Sequence, residues 1–224
     1  MENISVVLVD DHPVVRRGIR RILEKSKNIQ VIGEASTGHE GVVCVSERRP
    51  TVALLDIELP DMLGYEVAFH IRRQLPDQKI LAISAHNNSH YILKMLASGA
   101  SGYLLKNEAP RCVATAVRAV AQGERGWLSP KVRQALAENK AGTMFMEAVE
   151  VAKEMDRSDT VPALSAQEQQ ILAWIATGKT NPEIAQVAGL SLQQVDALIK
   201  NLMEKIGGST RMDTAARALF GNLI

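Results

Sequence analysis

Residues 52–64 read VALLDIELPDMLG. A short apolar run enters an aspartate, Asp56, and a proline and a glycine, Pro60 and Gly64, follow it. A strand covered on both faces is written as such a run, and the residue that ends it stands at the strand tip. The same pattern recurs on either side: ISVVLV (4–9) stops at Asp10-Asp11, KILAISA (79–85) carries Ser84 near its end, and SGYLL (101–105) stops before Lys106. A further run, IQVIGEA, occupies 29–35. Longer amphipathic stretches separate the runs, at 13–25, 38–48, 63–74, 89–98 and 110–121. In the first of them Val15, Ile19, Ile22 and Leu23 recur at helical spacing. Five strand–helix units in succession predict an α/β fold, a doubly wound five-stranded parallel sheet with helices on both faces.

The chain has 224 residues, enough for two compact domains, and its formal net charge of +1 gives no global attraction to nucleic acid. A local basic patch stays compatible with that balance. Cys44 and Cys112 lie in helical patterns without metal-like spacing, which points to small buried side chains rather than a disulfide. The opening MENISVVLVDDHP is too short in its apolar run, and acidic too early, for a signal peptide. With no apolar stretch of membrane-spanning length, the expected location is cytoplasmic, without a membrane partner.

The pattern changes after Gln122. Residues 123–162 contain GERG, WLSPKVRQALAE, a break at Ala141-Gly142, TMFMEAVEVAKEM and a polar DRSDTVP, which together predict a partly helical linker. From 163 to 224 the chain reads as helical. Ser165 with Glu168 forms a capping box before QEQQILAWIATG, and Ser191 with Gln194 forms another. Asn181 is the expected N-cap, with Pro182 at the first helical position of PEIAQVAG. A last helix is expected from Thr210 to about Leu223.

In an open α/β sheet, ligands sit at the carboxyl ends of the strands where strand order reverses. Asp10, Asp11, Asp56, Ser84 and Lys106 all fall at such ends. Three carboxylates in one pocket repel one another, and a hard divalent cation relieves that. Mg²⁺ favours a few carboxylates together with water and phosphate oxygens. An ionised Asp56 beside the metal can act as a nucleophile, Lys106 supplies a second positive charge, and Ser84 can donate to an attached phosphoryl group. The chemistry this set supports is phosphoryl transfer onto Asp56.

With VDDHP, LLDIELPDMLG, ISA and GYLLK in this order, residues 1–122 resemble the receiver domain of a two-component response regulator of the NarL/FixJ type. The resemblance implies a flavodoxin-like fold, Asp56 as acceptor of phosphate from a sensor histidine kinase, and Mg²⁺ held by Asp10, Asp11, Asp56 and the main-chain carbonyl of Glu58. It implies Ser84 and Tyr103 as switch residues and Lys106 as the phosphoryl-binding lysine. Asn107 departs from the family pattern, in which a proline commonly follows that lysine. Glu58 and His86 flank the acceptor; the plain expectation is that both point into solvent, the sharper one that they set the lifetime of the aspartyl phosphate. Arg16, Arg17, Arg20 and Arg21 give the first helix a basic face, expected to be solvated.

Residues 163–224 resemble the LuxR-type output domain, a four-helix, all-α helix-turn-helix unit whose third helix enters the major groove of DNA. That helix is SLQQVDALIKNLMEKI (191–206), with Val195, Ile199, Leu202 and Ile206 as its buried stripe and Ile184, Ala185 and Leu190 facing it. Its outer face is unorthodox, because Asp196 stands where the family commonly has a base. Across 164–224 Lys179, Lys200, Lys205, Arg211 and Arg217 are cancelled by Glu168, Glu183, Asp196, Glu204 and Asp213. Phosphate neutralisation dominates DNA affinity, so this balance predicts weak binding per subunit and a premium on dimerisation over two half-sites. Asp196 and Lys200, four residues apart, are expected to pair. The candidate DNA contacts are Gln193, Gln194, Ala197, Lys200, Asn201, Lys179 and Lys205, with glutamine and asparagine able to read adenine.

Two other classes compete. A phospho-switched interaction protein would use the helical domain to grip another protein, which suits Leu198 at the edge of the reading face. A phosphatase passing phosphate through Asp56 to water would suit the carboxylates but not a fused helix-turn-helix. The expected protein is a regulator rather than an enzyme, beyond accepting and shedding its own phosphoryl group.

Overall fold

A computed structural model describes residues 3–138, 164–176, 179–207, 211, 214, 215 and 218. The chain forms two compact units, Met1–Ala135 and Leu136–Ile224.

The first unit is the expected parallel sheet. Its strands are β1 (Ile4–Val9), β2 (Ile29–Ala35), β3 (Val52–Asp56), β4 (Lys79–Ser84), β5 (Gly102–Leu105) and β6 (Trp127–Leu128), in the spatial order β2-β1-β3-β4-β5-β6. Every pairing is parallel. The helices are α1 (Pro13–Glu24), α2 (Gly38–Arg48), α3 (Gly64–Gln74), α4 (Ser89–Ala97), α5 (Ala109–Ala121) and α6 (Pro130–Ala137). α1 packs beside α5, while α2, α3 and α4 pack in series, so both faces are covered. β3 is buried throughout, which is why its sequence shows an apolar run rather than alternation. Order reverses between β1 and β3, and the crevice at that reversal opens at Asp10 and Asp56.

The five expected strands are joined by a sixth, which corrects the count. Trp127-Leu128 lies within 123–162 and adds to the free edge of β5, Gly102 opposite Trp127 and Tyr103 opposite Leu128. Gly102 permits this close approach, since a Cβ there would lie 2.7 Å from the Trp127 carbonyl. Two residues are too few to carry a period, so the strand left no signature in the sequence. The backbone ladder extends past it, with the Ser129 N–H donating to the Tyr103 carbonyl at 3.1 Å. TMFMEAVEVAKEM lies outside the described residues.

In the second unit the described helices are α7 (Ala166–Ala176), α8 (Asn181–Ala188) and α9 (Leu192–Ile206). Both capping boxes form: Glu168 accepts from the Ser165 N–H at 2.7 Å, and Gln194 from the Ser191 N–H at 2.8 Å. The N-cap of α8 is Thr180, not Asn181, and Pro182 sits one position further in than expected. Glu183 fixes this start by accepting from the Thr180 N–H and hydroxyl. α8 ends at Gly189 in the left-handed region, φ 67°, and α9 follows. Val195, Ile199, Leu202 and Ile206 are buried, with Ile184 of α8. Most of the expected final helix lies outside the described residues.

Candidate functional site

The crevice collects the polar strand tips. Asp10 and Asp56 are each 2% exposed, and Lys106, just past β5, reaches between them: its Nζ lies 2.6 Å from Asp56 Oδ2 and 2.8 Å from Asp10 Oδ2. Lys106 is placed by its own backbone N–H, which donates to the Ser84 carbonyl at 2.7 Å and continues the β4–β5 ladder. The other Asp56 oxygen, Oδ1, accepts from the Ile57 N–H at 2.7 Å. Gly64 closes the following loop, its N–H donating to the Ile57 carbonyl at 2.8 Å; a side chain there would collide with the Asp56 carbonyl. Hence a glycine eight residues after the acid.

Burial pushes the Asp56 carboxyl above its ordinary range; Lys106 opposes this and Asp10 adds to it. Burial alone would lower Lys106, but the charges of Asp10 and Asp56 beside it hold it above the usual lysine value. One ammonium group is shared by two buried acids, so the crevice remains short of positive charge.

Asp10, Asp11, His12 and Asp56 each offer a ligand atom, all within 4.8 Å of one another. Asp10 Oδ2, though close to Lys106, is buried without a hydrogen bond of proper geometry, as expected of an atom kept for a cation. Asp10 Oδ1 accepts from the His12 N–H at 2.8 Å, and His12 Nδ1 lies 2.5 Å from Asp11 Oδ1. Carboxylate oxygens dominate this set and suit a hard cation such as Mg²⁺.

Ser84 is fully buried, its hydroxyl accepting from the His86 N–H at 3.1 Å. Tyr103 is 0% exposed and donates through its hydroxyl to the His86 carbonyl at 2.8 Å. Burial drives the Tyr103 phenol far above its ordinary value. The two expected switch residues therefore share one turn after β4, with Tyr103 already inside. No cis peptide bond occurs among the described residues, the Lys106–Asn107 bond included.

Glu58 and His86 do not both point freely into solvent. Glu58 Oε1 lies 2.6 Å from His86 Nε2, a contact between the β3–α3 and β4–α4 loops at the mouth of the crevice. Glu58 and His86 stand 28 positions apart in the sequence, on the loops after two successive strands, so no local pattern announces the pair. On α1 the basic face is partly tied down: Glu34 holds Arg16 at 3.0 Å and Arg20 at 2.5 Å. Cys44 and Cys112 are free thiols, half-buried.

On the second unit Gln193, Gln194, Ala197, Lys200 and Asn201 are all exposed on α9. Two candidates are engaged: the Gln194 side chain caps α9, and Lys205 is bound to Glu168 at 3.0 Å. Lys179 is half-buried, and its carbonyl accepts from Arg211. Asp196 does not pair with Lys200. It accepts instead from the Asn181 side-chain amide at 2.6 Å, a tie from α9 to the start of α8.

Comparison with known proteins places both units. The family description "Response regulator receiver domain" matches residues 6–118, and "Bacterial regulatory proteins, luxR family" matches 162–218. The transcriptional regulatory protein LiaR of Bacillus subtilis (strain 168) is 34% identical over 221 residues, 99% of each chain. The response regulator UvrY of Escherichia coli (strain K12) is 34% identical over 203 residues, 91% of this chain and 88% of that one. A crystal structure of a LuxR-family two-component response regulator from Aurantimonas sp. SI85-9A1 superposes with a TM-score of 0.59 at 35% identity, covering 61% of this chain and 97% of that one. A parallel receiver sheet with an acidic crevice, followed by a helical output unit, defines the class, and the chain belongs to the response regulators of two-component systems that carry a LuxR-type DNA-binding domain. It is a transcriptional regulator, not an enzyme. Among the described residues no helix is long and apolar enough to cross a membrane.

Proposed function

We propose that Asp56 takes a phosphoryl group from a sensor histidine kinase and that this controls how the second unit binds promoter DNA. The observation that carries the reading is Lys106 held between Asp56 and Asp10. An Asp56 carboxylate oxygen attacks the phosphorus of the kinase phosphohistidine; the O–P bond forms as the N–P bond breaks, its electron pair leaving with the imidazole. Lys106 then shifts from the carboxylate to the new phosphoryl oxygens, and the Ser84 hydroxyl donates to them. Asp10, Asp11, Asp56 and the Glu58 carbonyl would hold Mg²⁺, which would supply neutralising charge for the acids and the phosphoryl oxygens. Residues 1–122 would hold this chemistry, with 123–162 linking them to a DNA-binding part at 163–224.

The outward route starts at Ser84. Drawing its hydroxyl toward a phosphoryl group releases the His86 N–H, and His86 also receives the Tyr103 hydroxyl. The Tyr103 carbonyl in turn accepts from Ser129 at the head of α6. A shift in β5 is thus felt by the segment leading to the output unit. Dimerisation over two half-sites would offset the weak charge of each reading helix.

Phosphorylation of wild type and Asp56→Asn by a kinase or a small phosphodonor tests the assignment: wild type gains an acid-labile phosphoryl group and the variant gains none. Label persisting in the variant refutes it. The interaction-protein reading keeps one observation in its favour, the exposure of Val187 (56%) and Leu192 (47%) beside the turn between α8 and α9. DNA affinity that is insensitive to salt would favour that reading.

A further inference from the structure

The exposed face of α9 carries an acid that is held in place without being neutralised. Asp196 makes no ion pair among the described residues, and its Oδ1 accepts from Asn181 Nδ2 at 2.6 Å. Asn181 is itself fixed, because its Oδ1 accepts from Arg211 Nη1 at 2.8 Å, while Arg211 Nη2 donates to the Lys179 carbonyl. Arg211 therefore donates to Asn181 and Asn181 to Asp196, a relay that aims the carboxylate. Among the described residues Asp196 Oδ2 has no hydrogen-bond partner. Asp196 is exposed, as are Ala197 and Lys200 on the same helix.

Such an oxygen cannot meet a phosphate. Its complement on DNA is an amino group in the major groove. Adenine N6 lies beside N7, an acceptor that would face the carboxylate repulsively, whereas the N4 amino group of cytosine stands as the donor of its base edge. We propose that Asp196 is a specificity-determining residue, accepting from the N4 amino group of one cytosine in each half-site, with Asn181 and Arg211 as positioning residues. The same charge opposes sequence-independent binding, because it repels phosphates that a misplaced helix would touch. The inference rests on DNA binding by the second unit.

The test is selection from randomised duplex DNA by the full-length protein activated with beryllofluoride and Mg²⁺, as wild type, Asp196→Asn and Asn181→Ala. Asp196→Asn keeps an oxygen for Asn181 but puts an N–H donor where Oδ2 was. The expected result is a C·G pair favoured by wild type roughly tenfold at one position, lost in Asp196→Asn in favour of an acceptor-bearing purine. Binding of Asp196→Asn to unselected DNA rises. Asn181→Ala keeps the cytosine but favours it less, since the acid is present and no longer aimed. A wild-type motif that Asp196→Asn reproduces unchanged, with equal thermal melting of the two proteins, overturns the proposal and leaves DNA binding standing. Failure of wild type to enrich any sequence overturns DNA reading itself and this proposal with it. Should Asn181→Ala not fold, the comparison of wild type with Asp196→Asn decides alone.

Discussion

The crevice of the receiver and the outer face of α9 handle charge in opposite ways. In the crevice, acids from two strand ends are buried together around one lysine, so positive charge is short at a single point. On α9 and its neighbours the charges are held one at a time: Lys205 by Glu168, one oxygen of Asp196 by an amide, Glu183 by Thr180. The first arrangement concentrates a field on one point, and the second spreads it until little is left for a polyanion. On the proposed reading the receiver would serve a strong, metal-assisted event, while the outer face of α9 would serve discrimination at low affinity.

The contrast can be broken at several places. The largest expected effect is at Lys106. Lys106→Ala removes the cation that follows the phosphoryl group, so the response to phosphorylation is lost even where Asp56 is still labelled; promoter binding with and without a phosphodonor reads this. Next comes Mg²⁺. At a hundredfold excess over its Kd the ion adds about 2.7 kcal/mol to the stability of the receiver, seen as a raised urea midpoint in wild type and not in Asp10→Asn. In EDTA the sign reverses for the acids. Burial makes ionised Asp56 less favourable in the fold than in the unfolded chain, so Asp56→Asn is stabilised at neutral pH, read as a raised urea midpoint. A destabilised variant would mean that Asp56 is satisfied as it stands.

A smaller effect is expected from Glu168→Gln. It keeps the capping geometry near Ser165 while removing one negative charge beside Lys205, so DNA binding tightens and its salt dependence steepens by roughly one phosphate contact. The smallest concerns Glu58 and His86. Removing either opens the mouth of the crevice to water, and single alanine variants should shed phosphate at a changed rate, followed by loss of label over time. Unchanged rates in both would return the pair to a surface contact.

The receiver was readable because two periods and a set of strand ends fixed it. β1 to β4 and α1 to α5 fall within a residue or so of their expected bounds, and the acids that meet in the crevice stand at the ends of runs that could hardly be anything but strands. β6 escaped because two residues carry no period. The start of α8 was misplaced by one position because Thr180 and Asn181 are both good caps, and the choice fell to Glu183 three residues inside. The surface pairs were harder still. Glu168 with Lys205 and Asp196 with Asn181 join different helices, and the local rule that would pair Asp196 with Lys200 gives way to a better-aimed amide across the turn.

The central claim is that phosphate lands on the acid beside Lys106, and borohydride trapping tests it most directly. An acyl phosphate on an aspartate is reduced to homoserine, which peptide mapping of the full chain then locates. The account predicts homoserine at position 56 alone, dependent on Mg²⁺ and a phosphodonor. Homoserine at Asp10 or Asp11, or none at position 56 in protein that carries acid-labile phosphate, contradicts it.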